Sequence, residues 1–231
     1  MLRGIYASNT GLNAIQYKID TVSHNLANVN TPGFKEQKTS FTTFKEALLT
    51  INGEETIGDI SHGAQPGKTK TDFTLGNFKE TGRKLDFAVK GDAFFVLQTP
   101  DGFKYTRSGS FQKDRDGYLV DKKGNRVLGV AGAIRITKGK PDQKFRLVAF
   151  QNKDYLVKTG ENLYNAAPQA GVYPAEKTDV LQGYLETSNV DVIENVSDLI
   201  ISARNYSLNS RALTVQDRIL GKTVNEVGTI K

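Results

Sequence analysis

The sequence predicts an α+β protein in which two terminal helices flank a central antiparallel β domain. Three observations support this prediction. Apolar residues recur at heptad spacing near the N-terminus, a second heptad pattern without glycine or proline lies near the C-terminus, and short apolar runs alternate with turn dipeptides between them. The helices are expected to form one discontinuous, coiled-coil-like module. The predicted boundaries are 1–35 and 186–231 for that module, 36–79 for an extended connector and 80–185 for the β domain.

One side of the N-terminal helix is apolar, with residues spaced alternately by three and four positions. These residues are Leu12, Ile15, Ile19, Val22, Leu26 and Val29. The helix is followed by the turn sequence Asn30, Thr31, Pro32, Gly33 and Phe34. A residue before proline is disfavoured in a helix, and Pro-Gly fits the central positions of a type II turn. The sequence therefore predicts that the helix ends here.

The N-terminal helix carries little charge. From Gly4 to Phe34 only Lys18 and Asp20 are formally charged, and the other polar residues are amides and hydroxyls. A helix exposed to water usually has more charged residues, whereas amides tolerate burial when they are hydrogen-bonded. We expect Asn25 and Asn28 to contact neighbouring subunits for this reason.

The C-terminal helix is predicted over about 190–220. Ser188 is the expected N-cap, with Asp191 three residues later in the capping-box position. Acidic residues early in the helix and arginines late in it complement the helix dipole. One seam of the heptad pattern is expected to pair with the N-terminal helix, and it consists of Leu199, Tyr206, Leu213 and Leu220.

A second apolar seam lies about 170° around the C-terminal helix from the first, at 100° per residue. It consists of Ile201, Leu208 and Val215, and Arg204, Arg211 and Arg218 recur with the same spacing of seven. An uncovered apolar stripe usually marks an interaction surface. We expect all six residues to contact neighbouring subunits, because repetition of one heterologous contact generates a helical tube. A homodimeric coiled coil that serves as an adaptor or secretion accessory is the alternative.

The middle of the chain reads as short strands joined by tight turns. Asp-Gly signals at 100–103 and 115–118 and a third turn at 122–125 indicate hairpins. The predicted strands are LDFAV, AFFVLQT, FKYTR, YLV, IRI and FRLVAF.

The residue inventory argues against catalysis and against cofactor or metal binding. The chain has no cysteine, and its only histidines, His24 and His62, have no metal-binding partner nearby in sequence. No nucleophile elbow occurs, and the carboxylates Asp114 and Asp116 fit a solvated turn. The net charge of +6 comes from basic residues that look scattered, so nucleic-acid binding is not expected. No continuous run of 18 apolar residues occurs, so no transmembrane segment is expected.

Four segments resemble the bacterial flagellar basal-body rod and hook family. They are NLANVNTPGFK at 25–35, LDFAVKGDAFFVLQTPDGFKYTRSGSF at 85–111, TGENLY at 159–164 and GYLETSNVDVIENVSDLI at 183–200. Their order along the chain matches the family, and the likeness is greatest to the distal members of the rod. The proximal rod subunits are the alternative.

The resemblance implies a structural subunit and not an enzyme. It implies export through the flagellar type III apparatus without a cleaved signal peptide, and assembly outside the cytoplasmic membrane. The implied partners are other copies of the chain, other rod and hook axial proteins and the export apparatus, with the bushing rings or peptidoglycan around the rod as further candidates. The terminal helices would line the channel and the β domain would lie outside them.

Overall fold

A computed structural model describes residues 2–43, 47–51, 55–60, 64–137, 139–160, 162–175 and 178–228. The chain divides into two compact units. We call them the helical unit and the β unit. The helical unit comprises Met1–Leu26, Gln37–Lys70 and Asp191–Lys231, and the β unit comprises Ala27–Glu36 and Thr71–Val190. These boundaries differ from the predicted ones, because the turn after the first helix and the residues just before the second helix belong to the β unit.

The helical unit contains two helices and four strands. In chain order they are α1 (Leu2–Ala27), β1 (Gln37–Thr43), β2 (Ala47–Ile51), β3 (Glu55–Ile60), β4 (Ala64–Thr71) and α2 (Val192–Gly228). Strand β1 pairs with β4, and β2 pairs with β3 in antiparallel fashion. Residues predicted as an extended connector therefore form paired strands, in keeping with the β propensity of their threonines.

The β unit is built from short strands and two 3-10 helices, at Lys153–Tyr155 and Pro168–Ala170. The strands are β5 (Phe78–Glu80), β6 (Phe87–Val89), β7 (Phe94–Thr99), β8 (Gly102–Thr106), β9 (Gln112–Lys113), β10 (Leu119–Val120), β11 (Arg126–Gly129), β12 (Gly132–Ala133), β13 (Ile136–Thr137), β14 (Lys140–Pro141), β15 (Leu147–Phe150), β16 (Leu156–Lys158), β17 (Leu163–Ala166), β18 (Val172–Pro174), β19 (Val180–Gln182) and β20 (Tyr184–Glu186).

The main sheet of the β unit follows the order β16-β17-β8-β7-β11-β10-β9, and β15 pairs with both β7 and β18. The pairs along this path are antiparallel, as predicted. The three predicted turns are confirmed, because they connect β7 to β8, β9 to β10 and β10 to β11. Three further strand pairs lie outside the main sheet: β5 with β20, β6 with β19 and β13 with β14.

Strand β7 is buried on both sides, so the sheet has an apolar cluster on each face. One cluster contains Phe95, Leu97, Leu119, Val127 and Leu147, among others. The other contains Phe94, Val96, Leu128, Val148 and Tyr164, among others. The alternation along β7 is the expected consequence of strand geometry, since successive side chains point to opposite faces.

Helix α2 begins later and ends later than predicted. The side chain of Asp191 accepts hydrogen bonds from the backbone N–H groups of Ile193 and Glu194, at 2.8 and 3.0 Å. Asp191 is therefore the N-cap, and the assignment of that role to Ser188 was wrong, since the Ser188 hydroxyl bonds to Val190 N instead. The helix contains 37 residues, or about 55 Å at 1.5 Å per residue.

Helix α1 ends at Ala27, and the predicted turn follows. The backbone N–H of Phe34 donates to the carbonyl of Thr31 at 3.2 Å, and Gly33 has a φ of +68°. A positive φ at the third position of the turn confirms the type II expectation. The position is also crowded, because a Cβ added to Gly33 would lie 2.4 Å from the backbone nitrogen of Ser108.

We expect Gly33→Ala to destabilise the protein more than Gly82→Ala does. Gly82 has the same φ of +68° but no atom within 4 Å of an added Cβ, so its substitution tests backbone strain alone. That strain costs about 1–2 kcal/mol, and the contact with Ser108 adds to it only at Gly33. Urea unfolding of both variants measures the difference. Equal losses would show that the close approach to Ser108 has no energetic consequence.

Candidate assembly surface

Helices α1 and α2 run antiparallel to each other. Three contacts are distributed along the pair: Gly4 with Gln216, Lys18 with Asp198, and Asn25 with Asn195. The Lys18 ammonium lies 3.0 Å from the Asp198 carboxylate, and the Asn25 amide donates to the Asn195 side chain at 3.3 Å. Residue numbers rise along α1 and fall along α2 through these contacts, which establishes the antiparallel direction.

The side of α2 that contacts α1 is polar. Asn195 and Ser202 are buried, and Asn209 and Gln216 continue the spacing of seven with partial burial. The leucines of the predicted intramolecular seam flank this row and are half-buried: Leu199, Leu213 and Leu220. Tyr206, predicted in the same seam, is exposed. The predicted seam residues of α1 and its turn are Val22, which is buried, and Leu12, Ile15, Ile19, Leu26 and Val29, which are half-buried.

Three polar residues of α1, spaced by four, bond to neighbouring strands of the same unit. The hydroxyls of Tyr17 and Thr21 lie 2.8 Å from Thr69 and 2.9 Å from Thr39. Asn25 is almost completely buried, and its amide both donates to and accepts from the backbone of Gln37. The structure therefore uses the Asn25 side chain within the chain, and its expected contact with a neighbouring subunit stays a prediction. Asn28 is half-buried, and its side chain accepts from the Thr31 hydroxyl at 3.3 Å.

An aliphatic stripe lies beside the side of α2 that contacts α1. Ile201, Leu208 and Val215 each precede a residue of the contacting row by one position, or 100° around the helix, and Ile193 and Ile200 lie further round. The stripe consists of Ile193, Ile200, Ile201, Leu208, Val215 and Ile219. Each of these side chains is at least 48% exposed, and Leu208 is 63% exposed. Isolated exposed aliphatic residues are common, but a continuous row over about seven turns is typical of an interaction surface.

The predicted arginines lie among the residues of this aliphatic stripe, each three or four positions from one of its members. Arg204, Arg211 and Arg218 are all exposed, and within the described part of the chain none of them forms an ion pair. Their side chains are therefore available for carboxylates of another molecule. An exposed pair of this kind contributes little unless it becomes buried.

A second feature, in the β unit, is a buried ionic cluster formed by Lys35, Arg107 and Glu186. The Lys35 ammonium lies 2.6 Å from the Glu186 carboxylate, and the Arg107 guanidinium lies 3.5 Å from its other oxygen. All three side chains are at most 1% exposed. The backbone N–H of Gly33 also donates to the Glu186 carbonyl, at 2.8 Å. The cluster thus joins the segment that follows α1 to the segment that precedes α2.

Burial governs the electrostatics of this cluster. Desolvation lowers the pKa of Lys35 and of Arg107, and the negative charge of Glu186 opposes both shifts. The Tyr164 hydroxyl is buried nearby without a hydrogen-bond partner, and burial followed by the charge of Glu186 raises its pKa. Two guanidinium N–H groups of Arg107 donate to the carbonyls of Ala93 and Gly91, which fixes its orientation.

The sequence analysis did not find this cluster. Lys35 and Glu186 both lie in segments that resemble the rod and hook family, but they are 151 positions apart and share no local pattern. Only the folded chain brings them together. Within the described residues no group of three or more metal-ligating side chains occurs, and no helix there has the length and apolarity needed to cross a membrane.

Comparison with known proteins places these features in a family. Residues 5–35 match the model described as flagella basal body rod protein, residues 88–152 match the flagellar hook protein FlgE/F/G D1 domain, and residues 181–226 match the flagellar basal body rod FlgEFG protein C-terminal model. The flagellar basal-body rod protein FlgG of Bacillus subtilis is 33% identical over 264 residues, which covers 97% of this chain and 99% of the relative. The chain belongs to the flagellar basal-body rod protein family.

Other relatives agree with this family assignment. FlgG of Buchnera aphidicola from Acyrthosiphon pisum is 34% identical, with 96% of this chain and 98% of the relative covered. The rod protein FlgF of Mesorhizobium japonicum is 30% identical, with 94% and 93% covered. The three matched regions of this rod-family chain include most of both helices, all of the aliphatic stripe and the three members of the ionic cluster.

We expect Glu186→Gln to reduce the free energy of unfolding by roughly 3–5 kcal/mol, because it leaves two buried cations without their carboxylate. Glu80→Gln is the matched control, since Glu80 is exposed and lies on the strand that pairs with β20. The free energy of unfolding of Glu80→Gln should fall by less than about 1 kcal/mol. Urea unfolding followed by circular dichroism measures both values. Similar small losses for the two variants would contradict a structural role for the cluster.

We expect Lys158→Met to stabilise the protein at neutral pH. The Lys158 ammonium lies 4.1 Å from the centre of the Phe34 ring without a hydrogen-bond partner, and burial lowers its pKa from 10.5 to about 8. Between those pH values the unfolded chain binds more protons than the folded chain, so this group makes the wild type more stable as pH rises. The advantage of the variant should therefore shrink from pH 8 towards pH 10.5. A pH-independent difference in unfolding free energy would contradict this account.

Proposed function

We propose that this chain is a structural subunit of the bacterial flagellar rod that polymerises through its terminal helices. The polymer would be a hollow helical shaft that transmits torque and lines the export channel. The observation that carries this proposal is the aliphatic stripe of α2, which is exposed although it extends along most of a 37-residue helix. Full burial of each such side chain contributes about 1.5–3 kcal/mol, so assembly has a sufficient driving force.

The position of the stripe supports polymerisation. Because α1 contacts the polar side of α2, the stripe is available to another molecule while the intramolecular pair stays intact. A heterologous contact that repeats with rotation and rise gives an open helical assembly, whereas an isologous contact gives a closed dimer. Membership of the rod family favours the open assembly over the dimeric adaptor.

The names of the relatives favour the distal segment of the rod. Both relatives with 33–34% identity described above are FlgG proteins, and the FlgF relative is 30% identical. A proximal rod subunit is therefore the second candidate. The proposed partners are further copies of the chain and other rod and hook axial proteins, after export by the type III apparatus without a cleaved signal. In this role the chain acts outside the cytoplasmic membrane as a structural protein and catalyses no reaction.

We expect Leu208→Asp to abolish motility and rod assembly while leaving the folded monomer intact. The substitution places a charge at the centre of the aliphatic stripe, where assembly would have to remove it from water. Ser210→Asp adds the same charge at an exposed position on another side of α2 and is the matched control. A strain that lacks its own copy of the gene is complemented with each variant.

The readouts are swimming in soft agar, isolation of basal bodies and sedimentation of the purified chain. Thermal unfolding of the Leu208→Asp monomer should match that of the wild type, because this side chain is exposed in the single chain. Normal rods containing Leu208→Asp would overturn the proposed role of the stripe. Equal defects for Leu208→Asp and Ser210→Asp would show that any added charge on α2 prevents assembly.

A further inference from the structure

The net charge of the chain is concentrated in one segment of the β unit. Residues 113–146 contain ten lysines or arginines and four aspartates, a net charge of +6, which equals the net charge of the whole chain. The other residues are balanced. The basic residues are therefore not scattered as the sequence analysis supposed, and the segment corresponds to the strands from β9 to β14 and the approach to β15.

Three of the four aspartates in this segment are engaged with its own backbone. Asp114 accepts from the N–H of Tyr118 at 2.7 Å, and Asp142 accepts from the N–H of Arg135 at 3.0 Å. Asp121 accepts from the N–H groups of Lys123 and Asn125. The fourth, Asp116, lies 4.0 Å from Arg126 at the limit of an ion pair. The carboxylates thus shape the turns, and the described lysines and arginines of the segment are exposed to solvent.

Strand register places several of these side chains in one row. Phe103 pairs with Gln98, Gln98 pairs with Arg126, and Arg126 pairs with Val120. Paired residues share a face of the sheet, and Tyr118 shares that face because it lies two positions before Val120. Arg135 joins the row through its bridge to Tyr118. With strands about 4.8 Å apart, the row extends over roughly 15–20 Å.

Arginines stack on the aromatic rings of this row. The guanidinium carbons of Arg126 and Arg135 lie 4.3 and 4.6 Å from the centre of the Tyr118 ring, so they are at most about 9 Å apart. Arg146 lies 5.8 Å from the centre of the Phe103 ring, and that ring is 54% exposed. Stacking limits the motion of the guanidinium groups, and their planar sets of N–H donors match the geometry of carboxylates and phosphates. We call Gln98, Phe103, Tyr118, Arg126, Arg135 and Arg146 the basic face.

We propose that the basic face binds an anionic polysaccharide. An open row of fixed cations suits an elongated ligand with repeated single negative charges, and the exposed Phe103 ring offers an apolar surface against which a sugar ring can pack. A folded protein partner would need an apolar interface core, and a membrane would need inserted apolar side chains, but Phe103 is the only exposed large apolar member of the face. Tyr118 is already covered by two arginines, which disfavours base stacking by a nucleic acid.

The test measures binding of the full chain to defined polymers by calorimetry. The probes are polygalacturonate, which carries carboxylates on sugar rings, a glycerol-phosphate polymer, which carries phosphates without sugar rings in its backbone, and dextran, which is neutral. Phosphatidylglycerol vesicles and single-stranded oligothymidylate represent the other ligand classes. Arg126→Gln/Arg135→Gln removes two charges from the basic face, and Lys79→Gln/Lys90→Gln removes two exposed charges elsewhere in the β unit. Thermal unfolding verifies that each variant is folded.

We expect polygalacturonate to bind more tightly than the other probes and the affinity to fall as salt is added. Arg126→Gln/Arg135→Gln should weaken this binding by about tenfold, and Lys79→Gln/Lys90→Gln should leave it within about twofold. Phe103→Ser should weaken binding of polygalacturonate but not of the glycerol-phosphate polymer. The proposal would be overturned if the two double variants weakened binding equally or if dextran bound. It would also be overturned if vesicles or oligothymidylate bound more tightly than polygalacturonate. None of these results bears on rod assembly, so the two proposals fail independently.

Discussion

Polar contacts between α1 and α2 determine which side of α2 is covered in the single chain and which residues stay exposed. Asn195 and Ser202 occupy the side of α2 that contacts α1, and the residues of the aliphatic stripe lie outside this contact and remain in solvent in the single chain. Antiparallel pairs are usually joined through their apolar sides. Here the half-buried leucines Leu199, Leu213 and Leu220 flank a polar contact row, and the exposed stripe leaves further free energy of aliphatic burial to be gained in assembly.

Within the β unit, the ionic cluster joins the segment that follows α1 to the segment that precedes α2. Glu186 is the carboxylate shared by Lys35 and Arg107, and its backbone carbonyl also accepts from Gly33 in the turn that follows α1. An unpaired charge in this buried position is strongly unfavourable, so each cation depends on Glu186 being in place. Its members lie far apart in the sequence. The cluster therefore forms only when residues from both ends and the middle of the chain come together.

The sequence predicted features that depend on local patterns. The heptad in α1, the turn at Pro32 and Gly33 and the Asp-Gly hairpins all depend on residues within a few positions of one another, and the family comparison supports the rod assignment made from motifs. The ionic cluster and the polar α1–α2 contacts were missed because they depend on residues more than 150 positions apart. The bonds between Asn25 and Gln37 were missed for a different reason, since Gln37 belongs to a strand that had been interpreted as a connector.

The most direct measurement of the central claim is the accessibility of Leu208 before and after assembly. Because the chain has no cysteine, Leu208→Cys introduces a single thiol into the aliphatic stripe, and Ser210→Cys provides a control on another side of α2. Maleimide labelling rates are compared for the monomer and for isolated rods. The account predicts rapid labelling of both monomers and strong protection of the Leu208→Cys thiol in rods. Equally rapid labelling of that thiol in the monomer and in the rod would contradict it.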